Sequence, residues 1–182
     1  MTPWRTLART VLARHATSPV QPVDRETASS LAGRLEAGAQ TPLGRSLAVM
    51  HVDAGSCGGC EVELRALRRV VYDLERFGAS FVASPRHADV LLVTGSVTRN
   101  LVEALELAHA AMPDPKLVVA VGDCAVDGGV FKGSYAITGG VGTTLPVDML
   151  LSGCPPSPER ILAGLRALLE ANARSRPGIS SR

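Results

Sequence analysis

From Ser46 onward the chain alternates short apolar runs with longer stretches of helical period. The runs SLAVMHVD (46–53), ASFVAS (79–84), ADVLLVTG (88–95), KLVVAVG (116–122) and PVDMLL (146–151) read as buried strands. Between them, EVELRALRRVVYDLERFG (61–78) puts Leu64, Leu67, Val71 and Leu74 on one helical face, with Gly78 as the stop. RNLVEALELAHAAM (99–112) is a second helix, ending before Pro113. SPERILAGLRALLEANAR (157–174) is a third, with Ser157 as N-cap and Pro158 in the first helical position. Apolar strands alternating with helices predict βαβ units and a mainly parallel sheet with helices on both faces. No internal repeat of about 20–50 residues competes with this reading.

Residues 1–45 follow a different pattern. Trp4, Leu7, Val11 and Leu12 recur at helical spacing beside Arg5, Arg9 and Arg14, and no acid precedes Asp24. This is either a basic amphipathic helix suited to a membrane surface or partner groove, or a solvated terminus. An Arg-rich, acid-poor start also imitates a transit peptide. Pro19, Pro22, Pro42 and Gly44 then mark a loop-like connection. The expected organisation is an N-terminal extension (1–45), one α/β domain (46–173) and a tail (174–182).

Composition narrows the picture. The 182 residues fit one domain plus tails, and 46% are apolar but only 3% aromatic, so the core must be built from Ala, Val and Leu. A net charge of +2 gives no reason to expect nucleic acid as a partner. No apolar run of about 18 residues is present to span a membrane, and the start lacks a signal-peptide core of about 7–15 apolar residues. The twin arginines Arg68 and Arg69 lie inside a helical pattern and are no export signal. The expectation is a cytosolic chain, where four cysteines serve as ligands or redox groups rather than as structural disulfides.

Those four cysteines each follow a predicted strand. Cys57 and Cys60 follow LAVMHVD, Cys124 follows LVVAVG, and Cys154 follows VDMLL. In an open parallel sheet the loops at the carboxyl ends of the strands share one rim, so distant residues meet there. Zinc takes four thiolates, but its structural sites pair two close-spaced motifs, and here only Cys57 and Cys60 are close. A [4Fe–4S] cluster also takes four thiolates and its wider corners tolerate scattered ligands, so the spacing favours it over zinc. A thioredoxin-like dithiol is the third option, and it leaves Cys124 and Cys154 unexplained. Gly55, Gly58, Gly59, Gly122 and Gly153 crowd the same positions, where glycine lets backbone N–H groups approach a bulky anionic body. Cys60 opens a helix, whose amino end favours negative charge. Pro155 and Pro156 stiffen the last loop.

The segment GDCAVDGGVFKGSYAITGGVGTTLPVDMLLSGCPPSPERILAGL resembles the shared core of the complex I 20-kDa-type subunit and the small subunit of [NiFe] hydrogenases. The resemblance covers roughly residues 46–169 and rests most firmly on GDC with PVD and GCPPSPE. It implies a flavodoxin-like fold and one [4Fe–4S] cluster held by Cys57, Cys60, Cys124 and Cys154, with the backbone of Gly58, Gly59, Gly122 and Gly153 around it. Complex I versions generally carry adjacent cysteines at the first site, whereas Cys57-Gly58-Gly59-Cys60 looks like the hydrogenase branch. Lacking an export signal and further cysteines, the chain is similar to the short small subunits of membrane-bound group 4 hydrogenases, formate hydrogenlyase included. That implies a Ni–Fe-type large subunit, a ferredoxin-like two-cluster subunit and ion-pump-like membrane subunits as partners, with the chain peripheral on the inner face of the cell membrane. The implied role is an electron relay without bond chemistry of its own. A complex I-type quinone oxidoreductase, a related sulfur-reducing complex and a structural zinc domain are the alternatives. Where the family often has Asp, Gly142 stands here, which removes a charge beside the rim.

Around the cysteines, Glu61 and Glu63 read as helix-start charges, with Glu61 pairing Arg65 at i, i+4, or as groups for a proton relay or partner contact. His51 reads as a packed or interface histidine, Asp53 and Asp123 as braces of the loops, and Lys132 as solvated or as tempering cluster charge.

Overall fold

The computed structural model describes residues 46–174, with side chains through Leu168. The amphipathic helix expected within residues 1–45, and residues 175–182 of the expected tail, lie outside the described residues.

Apolar runs become strands where they are expected. β1 (Leu47–Asp53), β2 (Ala79–Phe81), β3 (Val90–Thr94), β5 (Leu117–Val121) and β7 (Met149–Leu151) form one parallel sheet in the order β2-β1-β3-β5-β7. Counted along the chain that is the 2-1-3-4-5 order of the flavodoxin-like sheet. The central strand β3 is buried along its whole length, which is why VLLVT shows no polar alternation. A two-stranded antiparallel ribbon, β4 (Val97–Thr98) with β6 (Ile137–Gly139), was not legible in the sequence.

Helices α1 (Gly59–Ala66), α2 (Val102–Ala110), α3 (Asp123–Asp127) and α4 (Pro158–Arg174) connect and cover the strands. Two apolar clusters result. One joins Leu47, Val49, Leu92 and Val119 of the sheet to Leu64 and Leu67 and to Ile161, Leu165 and Leu168 of α4. The other joins Leu91, Val93, Val118 and Ala120 to Leu105 of α2 and Ala125 of α3. Helix α4 starts as the sequence indicates: Ser157 Oγ accepts the Arg160 N–H at 3.4 Å, with Pro158 in the first position. At Gly164 a Cβ would sit 2.8 Å from Leu151, so this glycine allows α4 to lie close against β7.

The helix expected over 61–78 is corrected. It stops at Ala66, and a single 3-10 turn, Leu74–Phe77, follows after an irregular stretch. Leu67 and Leu74 are still buried because the Leu74 N–H returns to the Leu67 carbonyl at 3.1 Å. Val71, expected on the buried face, is 84% exposed. Paired β-branched Val70 and Val71 weaken the helix, and Asp73 at φ 41 turns the chain out of it. Gly78 does end the segment, at φ 80.

Candidate metal centre

All four cysteines lie just beyond the carboxyl ends of β1, β5 and β7, Cys60 in the first turn of α1 and Cys124 at the start of α3. The first loop leaves β1 through Asp53, whose Oδ1 accepts N–H groups from Gly55 at 2.8 Å and Ser56 at 2.7 Å. Burial works to raise the Asp53 carboxyl, but the Gly55 and Ser56 N–H groups, with side-chain hydrogen bonding to Glu61 and Ser56, leave it below its ordinary range. Ser56 Oγ then accepts the Gly58 N–H at 3.1 Å and donates to Glu61 Oε1 at 3.0 Å, which fastens the loop to the first turn of α1. The loop crosses directly over the end of β3: a Cβ on Gly95 would lie 2.5 Å from the Ser56 nitrogen. Gly58, at φ 85, caps α1 in a left-handed conformation that glycine adopts without strain. Gly59 has only ordinary contacts, with Cys57 Sγ 3.6 Å from where its Cβ would be, so the backbone does not demand glycine there.

The third and fourth cysteines are tied together. The Asp123 N–H donates to the Gly153 carbonyl at 3.0 Å, and the Gly153 N–H donates to Asp123 Oδ1 at 2.7 Å. Gly122 N–H also reaches the Leu151 carbonyl at 2.8 Å, extending the β5–β7 pairing into the loops. The first loop reaches this pair through Cys60, because a Cβ on Gly122 would lie 2.5 Å from Cys60 Sγ. The bracing expected of Asp53 and Asp123 is therefore present in both loops.

The thiols feel one another. Burial first, and then the neighbouring thiols of Cys124, Cys154 and Cys57 with Asp123, push the Cys60 thiol up to about 12. Burial also raises Cys124, with the Val130 N–H opposing it and Cys154, Cys57 and Asp123 adding to it. All four cysteines are free thiols; Cys57 and Cys154 are exposed, Cys60 is half-buried and Cys124 is buried. Raised in this way, the Cys60 and Cys124 thiols ionise more readily beside compensating positive charge, of the kind a bound metal centre provides. Among the described residues, no three His, Cys, Asp or Glu side chains converge tightly enough for a single metal ion. Close backbone at Gly122 and Gly153 lines the side of the rim where the thiols lie.

Charged neighbours fall where the sequence put them. Glu61 pairs with Arg65 at 3.8 Å, four residues on. Lys132 is exposed and pairs with Asp127 at 2.9 Å, which leaves it a solvated ion pair. His51 packs between β1 and β3, its Nε2 2.9 Å from Thr94 Oγ1, and burial lowers its pKa. It also lines a small cleft with Glu61, Leu64, Arg65, Arg68 and Phe81. Helix α3, the Asp127 turn and the hydroxyl of Ser56 were missed in the sequence. Only the glycines Gly128 and Gly129 hinted at that turn.

An open parallel sheet of this order, with the cysteines gathered at its carboxyl rim, makes the chain an α/β protein of flavodoxin-like architecture. The family described as NADH ubiquinone oxidoreductase, 20 Kd subunit, matches residues 57–168, more than half of the chain, and the chain belongs to that family. It is 47% identical over 132 residues to the probable membrane-bound hydrogenase subunit mbhJ of Pyrococcus furiosus, covering 72% of this chain and 79% of that one. Formate hydrogenlyase subunit 7 of Escherichia coli is 44% identical over 138 residues, which is 74% of this chain but only 54% of the relative. An NADH-quinone oxidoreductase subunit of Geobacter sp. strain M21 is 42% identical over 122 residues, or 67% of this chain and 71% of the relative. Among solved structures, the chain is similar to one from the membrane-bound sulfane sulfur reductase, an archaeal respiratory membrane complex. That likeness has a TM-score of 0.63 and 34% identity, covering 71% of this chain and 72% of the other. The chain is thus a subunit of the oxidoreductase complexes to which complex I and hydrogenases belong. Among the described residues no helix is long and apolar enough to cross a membrane.

Proposed function

We propose that Cys57, Cys60, Cys124 and Cys154 hold one [4Fe–4S] cluster and that the chain relays single electrons in a membrane-associated hydrogenase complex. The observation that carries this reading is the meeting of four free thiols from three strand ends within electrostatic reach of one another. When bound, the cluster supplies one-electron chemistry; the chain supplies ligands, burial and N–H groups that set its potential. The partners in this reading are a Ni–Fe-type large subunit on one side and a ferredoxin-like two-cluster subunit on the other, with ion-pump-like membrane subunits beneath. A partner covering the rim would meet the exposed thiols Cys57 and Cys154. The chain then sits peripherally on the inner face of the cell membrane.

The likeness to the sulfane sulfur reductase supports a second reading, a related complex whose large subunit lacks nickel. Anaerobic purification of the complex, with metal analysis and electron paramagnetic resonance, tests both. Iron at about four per chain with a nickel-bearing large subunit is the result expected of the hydrogenase reading. Iron without nickel moves the chain to the sulfur-reducing or quinone-reducing alternatives. Zinc at one per chain without iron sinks the relay, as does a Cys57→Ala variant with the native cluster signal.

A further inference from the structure

Between Cys124 and Lys132 the backbone folds back on the third thiol. The Gly128 N–H donates to the Cys124 carbonyl at 2.9 Å, Phe131 N–H to the Gly128 carbonyl at 3.0 Å, and Lys132 N–H to the Gly129 carbonyl at 3.2 Å. Gly128 at φ 97 and Gly129 at φ 50 make the reversal possible. The approach is close: a Cβ on Gly129 would stand 2.9 Å from both the nitrogen and the sulfur of Cys124. One consequence is that the Val130 N–H is directed at Cys124 Sγ.

Asp127 holds this turn from outside. Its Oδ1 accepts the Gly129 N–H at 2.9 Å, and its Oδ2 pairs with Lys132 Nζ at 2.9 Å. Both side chains are largely exposed, so the ion pair alone adds little to stability. Its geometric effect is larger, because it grips both ends of the turn that carries the donor. We propose that Asp127 is a positioning residue: by gripping Gly129 it aims the Val130 N–H at Cys124 Sγ and so raises the reduction potential of the cluster. A hydrogen bond to a ligand sulfur withdraws negative charge and favours the more reduced, more negative state. The inference rests on the cluster reading given above.

The test is a reductive titration followed by electron paramagnetic resonance on the anaerobically purified complex, comparing native protein with Asp127→Asn, Asp127→Ala and Val130→Pro. Asn and Ala lose the same charge and release the same lysine, but only Asn keeps an acceptor for the Gly129 N–H. The expected potential of Asp127→Ala therefore lies below that of Asp127→Asn. An account by charge alone gives the two variants equal potentials, both above native. Val130→Pro removes the donor with no change of charge at an exposed position, and its potential is expected below native. Should Asp127→Ala fail to assemble, Val130→Pro decides. An Asp127→Ala potential equal to or above that of Asp127→Asn overturns the positioning role, and an unmoved Val130→Pro overturns the donor. A native complex with no iron–sulfur signal overturns the cluster reading as well; a native signal with unmoved variants overturns this inference alone.

Discussion

Replacing Gly122 by alanine probes the closest approach in the site. Gly122 ends β5 at φ 93, ψ 154, a region open in practice only to glycine. Holding alanine there costs about 1–3 kcal/mol before any contact is considered. The added methyl would then stand 2.5 Å from Cys60 Sγ and 3.5 Å from the Gly153 carbonyl oxygen. Ordinary contact begins at about 3.5 Å, so the sulfur has to withdraw by about 1 Å. Helix α1 does not follow easily, since Leu64 and Leu67 anchor it in the core. Nor does Gly122 retreat, because its N–H is bonded to Leu151 on the neighbouring strand. The strain falls on the Cys60 side chain, and one corner of the thiol set is displaced. Iron and acid-labile sulfide per chain, measured on the anaerobically purified complex, are expected to fall while far-ultraviolet circular dichroism keeps the α/β signature. Gly142→Ala is the control: its φ is ordinary and nothing lies within 4 Å of the added Cβ. Native iron content and spectrum in Gly122→Ala would refute the claim that this approach constrains the centre.

Three further outcomes follow from the same structure. Asp123→Ala removes the acceptor that clamps the segments carrying Cys124 and Cys154, at a cost of about 1.5–3 kcal/mol for a bond to a charged group; Asp123→Asn, which keeps Oδ1, is expected to lose less in urea denaturation. Because burial lowers the His51 pKa below 6.5, the unfolded chain takes up its proton first as the solution is acidified. The His51 contribution to stability is therefore complete above about pH 6.5 and declines as the pH falls from there toward the folded pKa. Melting temperatures of native and His51→Gln protein between about pH 7.5 and 5.5 should show a steeper acid decline in the native form, and parallel curves would contradict this. Leu165→Ala empties a fully buried position under the sheet and is expected to cost about 2–5 kcal/mol in the same denaturation assay.

The parallel sheet and the gathering of cysteines were legible because both follow from short-range signals. A strand such as Val90–Thr94, buried on both faces, announces itself by lacking polar residues, and the rim rule then places every cysteine. Asp53 and Asp123 were readable as braces from their positions beside the cysteines. The break after Ala66 was not legible, since Leu67, Val71 and Leu74 keep helical spacing and only the tertiary return of Leu74 to Leu67 decides the path. The β4–β6 ribbon escaped notice because Val97 and Gly139 pair across some forty residues with almost no local strand pattern. Helix α3 is only five residues long, too short for a periodic signal, and the Asp127 grip depends on a turn that Gly128 and Gly129 merely permit. Gly59 ran the other way: its place between two cysteines suggested a backbone need that its φ and open surroundings do not show.

The exposure of the four thiols is lopsided, with Cys124 buried and Cys57 and Cys154 open to solvent. An orphan chain would present two accessible sulfurs to oxidants, and accessible sulfurs are the ones that climb the oxidation ladder. In the complex proposed above, a subunit closing over this edge would act as a shield as well as an electron partner. On that reading the order of assembly matters: docking before exposure to air would preserve Cys57 and Cys154, and docking afterwards would meet sulfurs already oxidised.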